Sequence, residues 1–219
     1  MENCLEVDSI YRKVNDNLTL SDIYFKCEEG KVVGIVGRNG SGKSILMRIV
    51  FGIEQADNKF IRVLGKNFKA PYKKRGLLAY LPQHSFLPQS LKVAQVIRFY
   101  LGQDLESSFA NDEIIEKIKD HKVSTLSGGE LRYLEVRIIL KMKVKFVLLD
   151  EPFSQLSPLL KERLKGFVEE ELENKGIIVT DHDYFNLEPI LDSVYLMNRG
   201  NLKLVKDKED LVFWNYLPQ

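Results

Sequence analysis

The sequence has little that would support a covalently stapled or metal-clustered scaffold. Only two cysteines, Cys4 and Cys27, occur in 219 residues. They fit neither a disulfide framework nor a clustered metal site and read as reduced, structurally ordinary thiols. Charge of one sign is lacking too: 32 Lys and Arg stand against 31 Asp and Glu. That balance gives no general pull toward nucleic acid or an anionic membrane, so no nucleic-acid partner is expected. Long apolar runs are missing. Phe146 to Leu149 and Gly176 to Val179 are typical of the longest, far short of the ~20 residues that cross a bilayer as a helix. The opening residues Met1 to Glu6 lack the basic-then-apolar pattern of a secretory signal, and no repeat or low-complexity tract appears. The expectation is a soluble, cytoplasmic protein for which any membrane role has to come through a partner.

The apolar runs that are present carry the fold. Val32–Val36, Phe146–Leu149 and Ile177–Val179 are too short for helices and too uniformly apolar for half-exposed strands, so they read as buried parallel strands. Gly, Asp or Thr-Asp follows each, and the chemistry of a parallel α/β sheet gathers beyond the carboxyl ends of its strands. Ahead of them, Leu5 to Phe25 alternates as antiparallel strands turning at Asn15-Asp16-Asn17. Val93, Val96, Ile97 and Tyr100, then Ile114, Ile115 and Ile118, have helical spacing. Leu159 to Leu172 reads as a further helix, whereas the tail from Asn201 to Gln219 carries no clear pattern. The predicted fold is α/β: one domain over 1–219, with an antiparallel β part at about 5–30 and a helical insert at about 84–124.

Gly37-Arg38-Asn39-Gly40-Ser41-Gly42-Lys43-Ser44 matches the full phosphate-loop pattern, G-x-x-x-x-G-K-[ST]. It follows a predicted strand and leads into a helix, through Ile45, Leu46, Ile49 and Val50, that stops at Gly52. Glycines let successive backbone N–H groups converge on an anion, and the helix N-terminus adds partial positive charge. Lys43 is expected to reach the β- and γ-phosphates of ATP, with the Ser44 hydroxyl on Mg²⁺. Downstream, the apolar strand ending in Asp150-Glu151-Pro152 supplies two adjacent carboxylates. Asp150 is a candidate for the Mg²⁺ shell; Glu151 is a candidate general base for the attacking water. The core is that of a P-loop NTPase.

Leu126-Ser127-Gly128-Gly129-Glu130 narrows this further. Ser127-x-x-Glu130 is a capping box opening the helix from Leu131 to Lys141. It also resembles the signature motif of ABC ATPases, and the two readings are compatible because a capped, glycine-rich helix start is an anion site. The resemblance covers about Leu5 to Gly200. It implies that Ser127 and Gly129 reach across a dimer to the γ-phosphate on the opposite subunit. It also makes Gln83, in Tyr80-Leu81-Pro82-Gln83, the glutamine that senses Mg²⁺ and attacking water, and His182 the histidine that contacts the γ-phosphate.

Three positions depart from the family pattern. Val14 stands where an aromatic ring usually stacks on adenine, with Tyr11 out of register. Ser157 replaces the aspartate of the loop after Glu151, and Arg137-Ile138-Ile139 replaces Ala-Arg-Ala. The resemblance is to a divergent ABC transporter ATP-binding subunit. What it implies is ATP hydrolysis by a homodimer or heterodimer, peripheral on the cytoplasmic face of a membrane and docked on a transmembrane permease near Gln83, Phe86 and the insert. A soluble non-transport ABC ATPase and a nucleotide-binding module without turnover remain alternatives. The basic cluster Lys73-Lys74-Arg75 is either a solvated turn or a headgroup contact. Cargo and direction are left open.

Overall fold

The structure is a computed structural model that describes residues 3–14, 17–102, 109 and 111–218. Two sheets share the work of burial. The antiparallel sheet uses β1 (Cys4–Val14), β2 (Asn17–Glu28), β4 (Asn58–Val63) and β5 (Lys66–Asn67), in the order β2-β1-β4-β5. Of the expected turn Asn15-Asp16-Asn17, the first two residues lie outside the described residues and Asn17 opens β2.

The larger sheet has the order β10-β9-β3-β8-β7-β6. Its strands are β3 (Val32–Val36), β6 (Leu78–Leu81), β7 (Phe146–Asp150), β8 (Gly176–Asp181), β9 (Ser193–Asn198) and β10 (Asn201–Val205). β6, β7, β8, β3 and β9 run parallel, and only β10 pairs antiparallel, with β9. Every residue of β3, β6, β7 and β8 is buried, because both faces are covered. Val32, Val36, Val147, Leu149 and Val179 face a helical layer. Val33, Ile35, Phe146, Leu148 and Ile178 pack toward the antiparallel sheet and α1 (Lys43–Phe51). Two-sided burial is why the strands lack polar alternation.

The helical layer comprises α2 (Val93–Leu101), α3 (Glu113–Ile118), α4 (Gly128–Lys141) and α5 (Pro158–Glu171). The helically spaced apolar residues of the insert serve this layer: Val93, Val96, Ile97, Ile115 and Ile118 are buried in it. α3 is capped by the buried Asp112, whose other oxygen accepts from Tyr133 (2.8 Å) and Arg137 (3.2 Å) on α4. Arg137, one of the divergent positions, also lies 3.4 Å from the Phe167 ring centroid. The insert is therefore tied to α4 by a buried charge pair as well as by apolar packing. Cys4 and Cys27 are both buried thiols, and burial pushes the Cys27 pKa far up.

The tail is more structured than its composition suggests. α6 (Tyr184–Leu187) precedes β9, and α7 (Lys208–Phe213) follows β10 and anchors itself through the fully buried Leu211.

Candidate active site

Register brings the site together. In the large sheet Val36 pairs with Asp181, Asp150 with Thr180, and Leu81 with Leu149. The loops after β3, β6, β7 and β8 therefore emerge at one edge, carrying Gly37, Gln83, Glu151 and His182. A Cβ on Gly37 would lie 2.5 Å from the Met197 carbonyl oxygen, so the loop starts hard against β9. Gly40 and Gly42 sit at φ +77° and +109°, left-handed values that glycine adopts without a Cβ clash.

Lys43 folds back over the loop, and its Nζ donates to the Gly37 oxygen at 2.7 Å and the Arg38 oxygen at 3.3 Å. Burial pushes its pKa down, opposed by the carboxylates of Glu151, Asp150 and Asp181. The Ser41 hydroxyl is buried without a hydrogen-bond partner. A buried unpaired hydroxyl is costly unless a ligand completes it, which fits a phosphate group seated in this loop.

Asp150 is fully buried, and its carboxylate accepts three side-chain hydrogen bonds. Ser44 Oγ (3.1 Å) and Thr180 Oγ1 (2.8 Å) donate to Oδ1, and the Tyr80 hydroxyl (3.1 Å) donates to Oδ2. Burial and the Asp150 charge push the Tyr80 pKa far up, so it stays a donor. Among the described residues no group of three or more His, Cys, Asp or Glu could hold a metal. The paired Ser44 and Asp150 oxygens suit an ion that takes one or two protein ligands and completes its shell with water and phosphate, as Mg²⁺ does.

Glu151 takes a left-handed φ of 50° while its N–H donates to the Thr180 oxygen at 3.1 Å. Its carboxylate is the hub. Oε2 accepts from Gln83 Nε2 at 3.2 Å, and Oε1 lies 3.9 Å from Lys43 Nζ and 3.6 Å from His182 Nδ1. His182 is half exposed and also lies 3.4 Å from Asp181 Oδ1. Burial pushes the Asp181 pKa up, against the pull of the Asp183 N–H and His182.

Arg132 was not anticipated. Its Nη2 donates to the main-chain oxygens of Asp150 (2.6 Å) and Glu151 (3.0 Å), and Nη1 donates to Pro82 O (2.8 Å). Glu135 accepts from Arg132 Nη1 at 3.2 Å and from the Phe86 N–H at 3.3 Å. One buried ion pair thus fixes the loop bearing Gln83 to the end of β7. The available signal was two charged residues, Arg132 and Glu135, spaced i,i+3 on a helix whose inward positions are otherwise apolar apart from Arg137.

The signature segment sits apart. Ser127 and Glu130 form the expected capping box: Ser127 N donates to Glu130 Oε2 (2.9 Å) and Ser127 Oγ accepts from Glu130 N (3.3 Å). The cleft bounded by Asn39–Ile45, Gln83 and Glu151 does not include Ser127 or Gly129. Ser157 caps α5, accepting from Leu160 N at 3.4 Å, so serine keeps the local helix start that aspartate would also provide. Val14 ends β1, and its side chain lies outside the described residues.

The sequence model of the ABC transporter family matches residues 20–154, more than half the chain. The chain belongs to the ABC transporter family. It is an ATP-binding cassette subunit, an ATP-hydrolysing enzyme that energises transport. The cassette is 24% identical over 225 residues to the lipopolysaccharide export system ATP-binding protein LptB of Acidithiobacillus ferridurans, covering 97% of this chain and 93% of that protein. It is 29% identical over 212 residues to the Fe(3+) ions import ATP-binding protein FbpC 2 of Pectobacterium atrosepticum, covering 90% of this chain and 61% of that protein. A solved structure of the ATP-binding subunit of an ABC transporter superposes with a TM-score of 0.82 at 20% identity. It covers 98% of this cassette and 95% of that chain, a likeness of fold. Subunits of this family pair with permeases and dimerise.

Proposed function

We propose that this cassette hydrolyses Mg²⁺-ATP in a head-to-tail pair of cassettes, identical or not, peripheral on the cytoplasmic face of a membrane and coupled to a separate transmembrane permease. The observation that carries the reading is the Glu151 carboxylate, held by Gln83 Nε2 at 3.2 Å and flanked by Lys43 and His182. Lys43 and the loop from Gly37 through Arg38, Asn39, Gly40, Ser41 and Gly42 to Ser44 bind the phosphates. Glu151 takes the proton of the attacking water. Gln83 orients that carboxylate, and His182 faces the γ-phosphate. Magnesium, held by Ser44, Gln83 and Asp150, would neutralise phosphate charge.

Ser127 and Gly129 lie outside the cleft of their own chain, so their role requires a second cassette. The capped start of α4 presents its helix N-terminus to the opposite γ-phosphate, and the shared anion holds the pair closed until hydrolysis.

A groove of about 610 Å³, lined in part by Tyr72, Phe86, Tyr100 and Ile139 and bordered by Lys73, Lys74 and Arg75, supports permease docking beside the Gln83 loop. The three basic residues are solvent-exposed at its rim. Among the described residues no helix is long and apolar enough to cross a membrane. Relatives named for export and for import both match this cassette, so the proposal names no cargo.

The test of the paired arrangement is light scattering on Glu151→Gln with Mg²⁺-ATP. A nucleotide-dependent dimer, abolished by Ser127→Arg, is expected. A monomer at saturating nucleotide would refute the arrangement.

A further inference from the structure

The segment after β10 folds back onto the active edge of the sheet. After α7, Asn215 adopts a left-handed φ of 54°, and the N–H groups of Tyr216 and Leu217 return to the Leu211 oxygen at 2.8 and 3.1 Å. This reversal aims two groups at the site. The Asn215 oxygen accepts from Arg38 Nη2 of the phosphate loop at 2.7 Å, and the Tyr216 hydroxyl donates to the His182 main-chain oxygen at 2.7 Å.

The same segment grips the stretch after His182. Lys208 Nζ lies 2.8 Å from Glu188 Oε1 and 5.2 Å from the Phe185 ring centroid. Burial and the charges of Asp181 and Asp183 push the Tyr216 pKa far up, and backbone N–H groups of Tyr184 and Gly37 also face its oxygen. The phenol therefore remains a donor across the working pH range. One short segment touches both the loop proposed to hold the phosphates and the residue proposed to face the γ-phosphate.

We propose that the segment Asp207–Leu217 is a tether fixing His182 relative to the phosphate loop, with Tyr216 as a positioning residue for ATP hydrolysis. The proposal rests on the assignment of His182 above. The tether restrains a half-exposed histidine whose only side-chain neighbours within 4 Å among the charged groups described are Glu151 and Asp181. Without the hydroxyl, the His182 main-chain oxygen loses its hydrogen bond from the segment that also accepts from Arg38 of the phosphate loop. The expected effect falls on turnover, because substrate phosphates are held by other groups.

The experiment is steady-state ATP hydrolysis by the purified full chain and three variants: Tyr216→Phe, His182→Ala and the double variant. Tyr216→Phe removes only the hydroxyl, and melting curves check that it folds. We expect kcat to fall about tenfold, the worth of one positioning hydrogen bond, with KM for ATP within about twofold. The double variant should be no slower than His182→Ala. Unchanged kcat in Tyr216→Phe with a slow His182→Ala overturns the tether alone. A loss that persists in the His182→Ala background, or that lies entirely in KM, also overturns it. Undiminished turnover in His182→Ala overturns the histidine's role and this proposal together.

Discussion

Ser44 Oγ donates to Asp150 Oδ1 at 3.1 Å, joining the first turn of α1 to the end of β7 across 106 residues of sequence. Asp150 is fully buried, and the other hydrogen bonds described to its carboxylate come from Thr180 and Tyr80. Removing the Ser44 hydroxyl leaves those donors in place, so Ser44→Ala should cost only about 1 kcal/mol of stability. Under the proposed mechanism it also removes a magnesium ligand. Titrating hydrolysis with Mg²⁺ should show an apparent affinity at least about tenfold weaker. An unchanged magnesium dependence would remove Ser44 from the metal site.

Ser127 has two proposed duties that one substitution separates. Aspartate is a good N-cap, but Glu130 Oε2 accepts from the Ser127 hydroxyl at 2.7 Å and would face a second carboxylate. Ser127→Asp should therefore melt a few degrees below the wild type, about 1 kcal/mol. The added negative charge would face the γ-phosphate of a second cassette and lower hydrolysis by about 100-fold or more. Full activity in a stable Ser127→Asp variant would leave the serine with capping alone.

Acid should weaken the junction of α5, α4 and β8. Burial pushes the Glu171 pKa up, but hydrogen bonds from Lys141 and Lys175 outweigh it and hold the carboxyl below its ordinary 4.5. Lys141 Nζ lies 2.6 Å away. A carboxylate depressed in the folded state adds stability above its unfolded pKa and loses it as pH falls through the folded value. The wild-type melting temperature should therefore drop below about pH 5 more steeply than that of Glu171→Gln. At pH 7 the variant should be less stable by about 2 kcal/mol. Parallel pH curves for the two proteins would contradict the pairing.

Much of this arrangement was legible because the chemistry here is local in sequence. The phosphate loop, the apolar strand before Asp150-Glu151 and the Ser127–Glu130 box each carry their own signal within about ten residues. The buried strands of the sheet announced themselves by lacking alternation, which two-sided burial explains. Arg132 was illegible for the opposite reason. Besides Glu135, its partners are main-chain oxygens of Pro82, Asp150 and Glu151, groups that every residue carries. The tail failed similarly: Tyr216 meets the His182 main-chain oxygen and Arg38 meets that of Asn215, and neither contact leaves a pattern in composition. Ser157 departs from the family's aspartate yet preserves the cap on α5, so local stability masks the change.

Glu151 is the residue on which the account turns, since its carboxylate gathers Gln83, Lys43 and His182 from three separate segments of the chain. The most direct measurement is inorganic phosphate release from saturating Mg²⁺-ATP by wild-type protein and by Glu151→Gln, which keeps the shape and the neighbours but cannot take a proton. The account predicts turnover lower by about 100-fold or more, with melting temperature and nucleotide binding retained. Equal rates of phosphate release from the two proteins would contradict it.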